Sequence, residues 1–209
     1  MTDRYTCRVN KAQSFDIKLK EGVFHPTGTS DQIIKSVSAN MVNPGKILDL
    51  GCGSGVVGFA LHLLGKSEGL LYASDLSDEA VLLIEENATN LEIPVVARQG
   101  SIFSPWENEF FDYIVDDISG IAEEVAEISP WFSKTSCRSG EDGTDLVVEA
   151  ITQSPKHLNM NGKLFFPVLS LSNGDKIIET ANSIFNKVTM IGHKDWRLPD
   201  EMTKHMDTL

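Results

Sequence analysis

The sequence lacks several features that would restrict its function at once. It contains 3 cysteines among 209 residues, and Cys7, Cys52 and Cys137 form no C-x-x-C pair. An odd number at this spacing argues against a disulfide framework and against a structural zinc site. No apolar run approaches the roughly 20 residues of a membrane helix, so we expect no membrane partner. The first residues lack the apolar segment of a signal peptide, and we therefore expect a cytoplasmic protein.

Basic residues are also scarce. The chain has 18 lysines and arginines against 30 aspartates and glutamates, which gives a net charge of −12 at pH 7. A protein that binds nucleic acid usually neutralises phosphates with a cluster of lysine and arginine side chains. No such cluster stands in the sequence. The charge therefore disfavours a nucleic-acid substrate, although a basic patch formed by folding is still compatible with one.

Two common nucleotide-binding motifs are missing from the one glycine-rich segment. A G-x-G-x-x-G fingerprint that begins at Gly51 would need glycine where Val56 stands, and the Gly-Lys-Ser/Thr of a P-loop is absent. Glycines occur instead at alternate positions, Gly51, Gly53 and Gly55, after an apolar run. This pattern predicts a strand, a turn and a helix whose free amides face a small anionic ligand. The alternative is a glycine turn that binds nothing.

A second feature is an aspartate at the end of the next apolar run. Asp75 lies 24 positions after Gly51 (75 − 51), and Ser77 is predicted to cap the helix that follows. An acid about 20 residues beyond a glycine loop is the position from which a carboxylate binds the two hydroxyls of a ribose. We therefore predict that Asp75 binds a ribose, with an ordinary acidic helix start as the alternative.

Strands and helices alternate along most of the chain. This alternation predicts an α/β, Rossmann-like doubly wound fold, with a mostly parallel sheet and helices on both faces. The predicted strands are 47–50, 70–74, 95–98, 111–116, 163–169 and 187–193. The predicted helices are 30–41, 56–64, 79–90 and 175–186, with one more around 146–151. We expect residues 1–29 to form an extension, a lid or a hairpin, and residues 30–209 to form a single domain.

Four segments resemble the class I S-adenosylmethionine-dependent methyltransferases. They are residues 23–30, the D-x-G-x-G-x-G loop that begins at Asp49, residues 74–77, and residues 139–146. The first and last resemble more closely the subgroup of glutamine N5-methyltransferases and other methyltransferase small-domain proteins. The resemblance spans roughly residues 23 to 192. It implies that the cofactor is S-adenosylmethionine, that the domain binds this cofactor, and that no metal is needed.

The resemblance also implies which residues contact the cofactor. Ligands of an open α/β sheet bind beyond the carboxyl ends of the strands. The implied residues are Thr27, Asp49, Gly51, Cys52, Gly53, Gly55, Asp75, Leu76, Ser101, Ile102 and Asp116. Many members carry an acid near position 101 that binds the adenine amino group. Here Ser101 or the Ile102 backbone would take that role, unless Ser101 is only a turn residue.

The end of the fourth strand departs from that family. The family has Asn-Pro-Pro-Tyr there, and this chain has Asp116-Asp117-Ile118-Ser119-Gly120. We match Asp116 to the asparagine, and the residues that would hold a planar amide or base are then missing. We predict Asp116 as the catalytic residue, a general base for an amine or hydroxyl acceptor. The alternative is that Asp116 and Asp117 cap the next helix.

These features predict an S-adenosylmethionine-dependent methyltransferase that N-methylates a small-molecule or protein acceptor. Two alternatives remain open: an RNA base N-methyltransferase, and a subunit that binds the cofactor without catalysis. His25 precedes the first helix and is either a site residue or an ordinary loop residue. Trp106, Trp131 and Trp196 are candidates for a substrate pocket, and we expect at least one of them in the core. No oligomeric state follows from the sequence.

Overall fold

The structure, a computed structural model, describes residues 3–118, 120–133, 135 and 137–205. A small antiparallel hairpin of β1 (Arg4–Arg8) and β2 (Ser14–Lys18) precedes a parallel sheet of five strands. The strands of this sheet are β3 (Gly45–Leu50), β4 (Ser67–Asp75), β5 (Val95–Gln99), β6 (Phe111–Asp116) and β7 (Leu158–Phe165). Their order is β5-β4-β3-β6-β7, and every neighbouring pair is parallel.

Helices cover both faces of the sheet. They are α1 (Gly28–Asn40), α2 (Val56–Leu63), α3 (Asp78–Leu91), α4 (Glu123–Glu127), α5 (Asp145–Gln153), α6 (Gly174–Ile184) and α7 (Asp200–Thr203). One face, with Ile47 and Leu71, packs against α1, α2, α3 and the hairpin. The other face, with Leu48 and Ile114, packs against Trp106 and α5. The predicted doubly wound α/β fold is therefore confirmed.

The strand order fixes where a ligand can bind. β3 is the central strand and lies between β4 on one side and β6 on the other. The chain therefore leaves β3 in one direction and returns later on the opposite side. Such a reversal opens a crevice at the carboxyl end of the central strand. That end of β3 carries the glycine loop.

The helices at this edge begin with polar caps. The Thr27 hydroxyl accepts a hydrogen bond from the Thr29 amide at 3.2 Å, and the Ser30 hydroxyl accepts one from the Thr27 amide at 3.4 Å. This capping box starts α1 two residues before the predicted start. Ser77 caps α3, as predicted, by accepting a hydrogen bond from the Ala80 amide.

The last part of the sheet differs from the prediction. The strand predicted at 163–169 is instead β7, Leu158–Phe165, and the strand predicted at 187–193 does not form. Parallel strands inside an α/β sheet need apolar residues on both faces, whereas Lys187, Thr189 and His193 would share one face. Val188 packs near α5 and α6, and Met190 is 80% exposed. The sheet, as far as the structure describes the chain, therefore ends at β7.

The polar tail folds back on the domain. Met202 of α7 is fully buried against Ile121 and against Val125 of α4.

Of the helices in the described residues, none is both long and apolar enough to cross a membrane.

One buried side chain joins the hairpin to the domain. The Asn87 carbonyl accepts a hydrogen bond from the Lys18 amide at 2.8 Å, and its amide group donates to the Lys18 and Ser54 carbonyls at 3.1 Å each. Asn87 is 1% exposed and Ser54 2% exposed, whereas Lys18 is half-buried. The side-chain amide of Asn87 in α3 therefore links the hairpin to the glycine loop.

Asn87→Ala should lower the free energy of unfolding by about 2 kcal/mol or more, because it leaves buried backbone groups without partners. Asn90→Ala is the matched control, since Asn90 lies on the exposed side of the same helix. Chemical denaturation of the three proteins measures the effect. Equal stability of Asn87→Ala and Asn90→Ala would contradict this role.

Candidate functional site

The glycine loop has the backbone geometry that its spacing predicts. Gly51, Gly53 and Gly55 have φ angles of 74°, 49° and 86°, a region that favours glycine. A Cβ atom on Gly51 would lie 2.7 Å from Cγ1 of Ile118, and one on Gly55 would lie 2.5 Å from the Phe59 ring. The Gly51 amide also donates to the Ser74 carbonyl at 2.9 Å. The loop is therefore packed on two sides and held against β4.

Asp75 joins this loop to the start of α3. One oxygen of its carboxylate accepts a hydrogen bond from the Gly53 amide, and the other accepts one from the Ser77 amide, both at 2.9 Å. Asp75 is half-buried and borders a cleft. A carboxylate oxygen can accept more than one hydrogen bond, so both oxygens retain capacity for a ligand hydroxyl.

The cleft opens beyond the carboxyl ends of the strands and extends along β7. Its volume is about 1920 Å³. Its wall contains most of the residues that the sequence analysis assigned to the cofactor: Thr27, Gly51, Cys52, Gly53, Asp75, Leu76, Ser101 and Ile102. The other three, Asp49, Gly55 and Asp116, lie behind this wall.

Asp49 supports the loop from the interior of the protein. It is 1% exposed, and one carboxylate oxygen accepts a hydrogen bond from the Gly58 amide at 2.9 Å. Gly58 belongs to the first turn of α2, where a negative charge is favourable. A Cβ atom on Gly58 would lie 2.7 Å from the same oxygen. Asp49 therefore fixes the helix start without reaching the cleft.

We expected Asp116 to border the cleft, but its neighbour Asp117 does so instead. Asp116 is fully buried, and one of its oxygens accepts a hydrogen bond from the Ile118 amide at 2.8 Å. Asp117 borders the cleft and accepts a hydrogen bond from the Ser30 hydroxyl at 2.8 Å. The acid in the position that we assigned to Asp116 is therefore Asp117, which the sequence analysis considered only as a helix cap. Ser119 of the same motif lies outside the described residues.

Neither aspartate caps the next helix. The residue at the N-cap of α4 is Ala122, which makes no side-chain capping bond. Asp116 is thus the last residue of β6, and Asp117 is a residue of the cleft wall.

Burial controls the ionisation of the acids at this edge. It raises the pKa of Asp49, Asp116 and Asp117 to about 7 each, because the charged forms lose hydration. The negative charge of Asp117 raises the pKa of the other two further, while the hydrogen bond from Ser30 lowers the pKa of Asp117. One oxygen of Asp49 and one of Asp116 have no hydrogen-bond partner among the described residues.

Aromatic residues form another part of the cleft wall. The rings of Phe24 and Phe132 lie 5.1 Å apart, and Trp131 and Trp196 are partly exposed beside the cleft. Trp106 is instead a core residue that donates a hydrogen bond to the Ser74 hydroxyl at 2.9 Å. Phe24 lies in the 23–30 segment but was not singled out, Phe132 belongs to no motif, and only the fold shows that the two rings share the cleft.

Two other sequence features contribute little to the cleft: of the 139–146 segment only Leu146 lines it, and His25 does not. His25 is exposed and does not belong to the cleft wall. The 139–146 segment mainly supports the scaffold, since the Gly140 amide donates to the Glu123 carboxylate and Lys176 pairs with Asp142 at 3.0 Å. Within the described part of the chain, no group of three or more His, Cys, Asp or Glu side chains is placed to hold a metal ion.

A glycine loop at the sheet reversal, with an acid at the end of the neighbouring strand, defines a Rossmann-like cofactor-binding domain. Comparison with known proteins makes the class specific. Residues 15–117 match the family model described as the methyltransferase small domain. This likeness to the methyltransferase small domain covers just under half of the 209 residues.

Curated relatives carry related names. The chain is 24% identical over 172 residues to a release factor glutamine methyltransferase of Enterococcus faecalis, an alignment that covers 80% of this chain and 61% of the relative. It is 29% identical over 175 residues to a ribosomal protein L11 methyltransferase of Lactobacillus johnsonii, with 80% and 47% covered. The chain thus spans about half the length of these curated relatives.

The fold also matches a solved methyltransferase. The 16S rRNA N2 G1207 methyltransferase of T. thermophilus, solved with AdoMet and guanosine, aligns with a TM-score of 0.67 and 16% identity. The alignment covers 90% of this chain and 48% of that one. At this identity, the likeness supports the shared fold.

The raised pKa of Asp116 gives a pH-dependent stability. Between about pH 4 and pH 7 the folded state binds more protons than the unfolded state, so stability falls as the pH rises. Asp116→Asn removes this contribution. The free energy of unfolding of Asp116→Asn, relative to that of the wild type, should therefore be higher at pH 8 than at pH 5 by at least ~1 kcal/mol.

The measurement is denaturant unfolding at both pH values. Asp175→Asn is the control, because Asp175 is exposed in the first turn of α6. A difference between Asp116→Asn and wild type that does not change with pH would contradict the burial argument.

Proposed function

We propose that this chain binds S-adenosylmethionine in the cleft and transfers its methyl group to a nitrogen atom of a small-molecule or protein acceptor. The observation that carries the proposal is the Asp75 carboxylate, which holds the Gly53 amide at 2.9 Å at the carboxyl end of β3. Asp75 would bind the ribose hydroxyls, and the loop from Gly51 to Gly53 would lie against the methionine part. Ser101 and Ile102 would border the adenine.

The remaining predicted residues have different roles in this proposal. Thr27 and Leu76 border the cleft and contribute to the walls of the cofactor site. Asp49 and Gly55 shape the loop and the start of α2, and they act on the cofactor only through that loop. Burial raises the pKa of the Cys52 thiol well above the ordinary value and keeps the thiol protonated. Cys52 would therefore contact the cofactor through its backbone atoms.

Asp117 is the residue that we propose as the proton acceptor. When bound, S-adenosylmethionine supplies an electrophilic methyl group on a sulfonium. Asp117 lies next to the glycine loop, since its amide donates to the Leu50 carbonyl at 3.2 Å and Ile118 packs on Gly51. Its carboxylate accepts the proton that the amine loses, and the Ser30 hydroxyl orients it. A pKa of about 7 suits this task at neutral pH.

Alignment of the two reactants supplies the rest of the rate enhancement. Holding a nucleophile in line with a reacting centre contributes on the order of 7–11 kcal/mol in favourable cases. The aromatic rings of Phe24 and Phe132, on the cleft wall, exclude water from that region. An amine that attacks in its neutral form and then passes its proton to Asp117 is favoured over a planar amide, because a carboxylate faces the cleft and the aromatic end of the Asn-Pro-Pro-Tyr motif is absent.

Two alternatives make different predictions. An RNA base as acceptor fits the fold match, but the net charge of −12 opposes a phosphate chain. A catalytically inactive subunit would bind the cofactor and transfer no methyl group to any acceptor. Both alternatives are outcomes of the assay below.

Cofactor binding can be tested at Asp75. Calorimetric titration should detect binding of S-adenosylmethionine and S-adenosylhomocysteine to the wild-type protein. Asp75→Asn should raise both dissociation constants about tenfold or more, because hydrogen bonds to a charged group are lost. Asp78→Asn is the matched control, since Asp78 is exposed on the next turn and does not border the cleft. Absence of binding to the wild type would exclude the proposed cofactor.

Catalysis can be tested at Asp117. Release of S-adenosylhomocysteine is measured with a panel of small amines, peptides and RNA oligonucleotides. With the acceptor that reacts, Asp117→Asn should lower kcat by about 10²-fold or more. The wild-type rate should rise with pH through about 7, because the ionised carboxylate is the base.

Asp116→Asn separates the two neighbouring acids and should retain most of the activity, since Asp116 does not border the cleft. Loss of activity in Asp116→Asn with full activity in Asp117→Asn would overturn the assignment. Cofactor binding without release of product from any acceptor would favour the inactive subunit.

A further inference from the structure

The edge strand β7 is open on one side. Its only partner among the described residues is β6. An edge strand presents a row of backbone N–H and C=O groups that can pair with another extended chain. Residues 161–171, which include the second half of β7, line the same cleft as the cofactor site. This edge is therefore accessible from the cleft.

A segment without regular secondary structure follows α6 and does not pair with this edge. We call residues 186–198 the strap. It leads from α6, packed with α5, to α7, packed with α4. On the way it rests on α1, where Trp196 Nε1 lies 2.6 Å from the Cβ position of Gly28 and Gly192 approaches Ser36. The strap and residues 161–171 line one continuous cleft, and we call the part between them the slot.

The slot exposes apolar side chains from both walls. On the β7 side Val168 is 41% exposed, and on the strap Met190 and Trp196 are 80% and 44% exposed. Large apolar side chains grouped on one surface usually mark a binding site for another molecule. A cleft of about 1920 Å³ also exceeds the 300–1,000 Å³ or so of ordinary small-ligand pockets, so it has room for more than the cofactor.

The slot is also basic, in contrast to the rest of the chain. Lys163 lies on β7, Lys187 and Lys194 lie on the strap, which also carries Asp195 at 3.2 Å from His193 Nε2, and Arg138 lies elsewhere in the cleft wall. The structure records no ion pair to a carboxylate for these four cations within its described residues. Lys163 donates to the Asn40 carbonyl, and Lys194 lies 5.3 Å from the Trp196 ring centroid. In a chain of net charge −12, these cations favour an acidic ligand in the slot.

We propose that the slot binds an extended, acidic polypeptide segment of a partner protein, paired with the free edge of β7. Backbone pairing at a sheet edge gives affinity, and pockets for alternate side chains give specificity. A phosphate chain would match the lysines, but it has no backbone groups to pair with β7. The polypeptide therefore fits the charge, the edge and the apolar walls together.

The position of the slot links this surface to the chemistry. β6 and β7 are parallel, with Val115 opposite Phe165, so the end of β7 lies beside the strand end that carries Asp117. A bound polypeptide would lead one side chain toward Asp117. The role of this polypeptide as methyl acceptor rests on the proposed function, whereas the docking itself does not.

The test is fluorescence anisotropy with a labelled peptide as long as β7, which has 8 residues. In the probe, glutamate alternates with valine or threonine. Three comparison probes have the same length: a peptide with lysine for glutamate, the acidic peptide with alternate amides N-methylated, and a single-stranded RNA. We expect saturable binding of the acidic peptide, at least tenfold weaker binding of the lysine and N-methylated peptides, and slower hydrogen exchange of residues 158–165 in the complex.

Charge variants give a matched control. The double variant Lys163→Glu with Lys187→Glu should weaken peptide binding at least tenfold. The variant Lys35→Glu with Lys156→Glu has the same net charge but changes exposed lysines outside the cleft, and it should bind as the wild type does. Thermal unfolding confirms that both variants are folded.

Four results would overturn the proposal: no saturable binding of the acidic peptide, equal binding of the N-methylated peptide, equal weakening by both double variants, or tighter binding of the RNA. Titration of S-adenosylmethionine in the absence of peptide is scored separately. The docking proposal can therefore fail while the cofactor proposal stands, and the cofactor proposal can fail while the docking proposal stands.

Discussion

The candidate site depends on one carboxylate. Asp75 accepts hydrogen bonds from the Gly53 and Ser77 amides, so a single side chain joins the loop after β3, the end of β4 and the start of α3. A loop with three glycines in the left-handed region gains no rigidity from its own side chains. Because Asp75 and the packing of Ile118 and Phe59 hold the loop, its backbone has a fixed arrangement at the cleft wall, with the Gly51 and Gly53 amides hydrogen-bonded within the protein.

Burial of acids is the second constraint on this edge. Asp49 and Asp116 are buried with one oxygen each lacking a partner among the described residues, and Asp117 lies close to both. Such burial costs stability at neutral pH, and groups with strongly perturbed pKa values concentrate at functional sites. The arrangement gives Asp117 a pKa of about 7 beside the loop, as a proton acceptor for an amine requires.

Local spacing predicted the parts of the site that local chemistry determines. The glycine loop and the Ser77 cap follow from residues within a few positions of each other, and Asp75 follows from its fixed spacing of 24 positions after Gly51. The choice between Asp116 and Asp117 does not, because a shift of one residue at a strand end reverses which side chain reaches the cleft. The predicted strand at 187–193 failed for another reason: it was inferred from the alternating strand and helix pattern alone, although Lys187, Thr189 and His193 would share one face of a buried strand. Phe24 and Trp196 share the cleft only through the fold.

The most direct test of the account is a crystal structure of the protein with S-adenosylhomocysteine. We expect the ribose hydroxyls within hydrogen-bond distance of the Asp75 carboxylate, the adenine beside Ser101 and Ile102, and the sulfur on the side of Asp117. Density for the ligand elsewhere, or an empty glycine loop at saturating ligand, would contradict the central claim that this loop and Asp75 form the cofactor site.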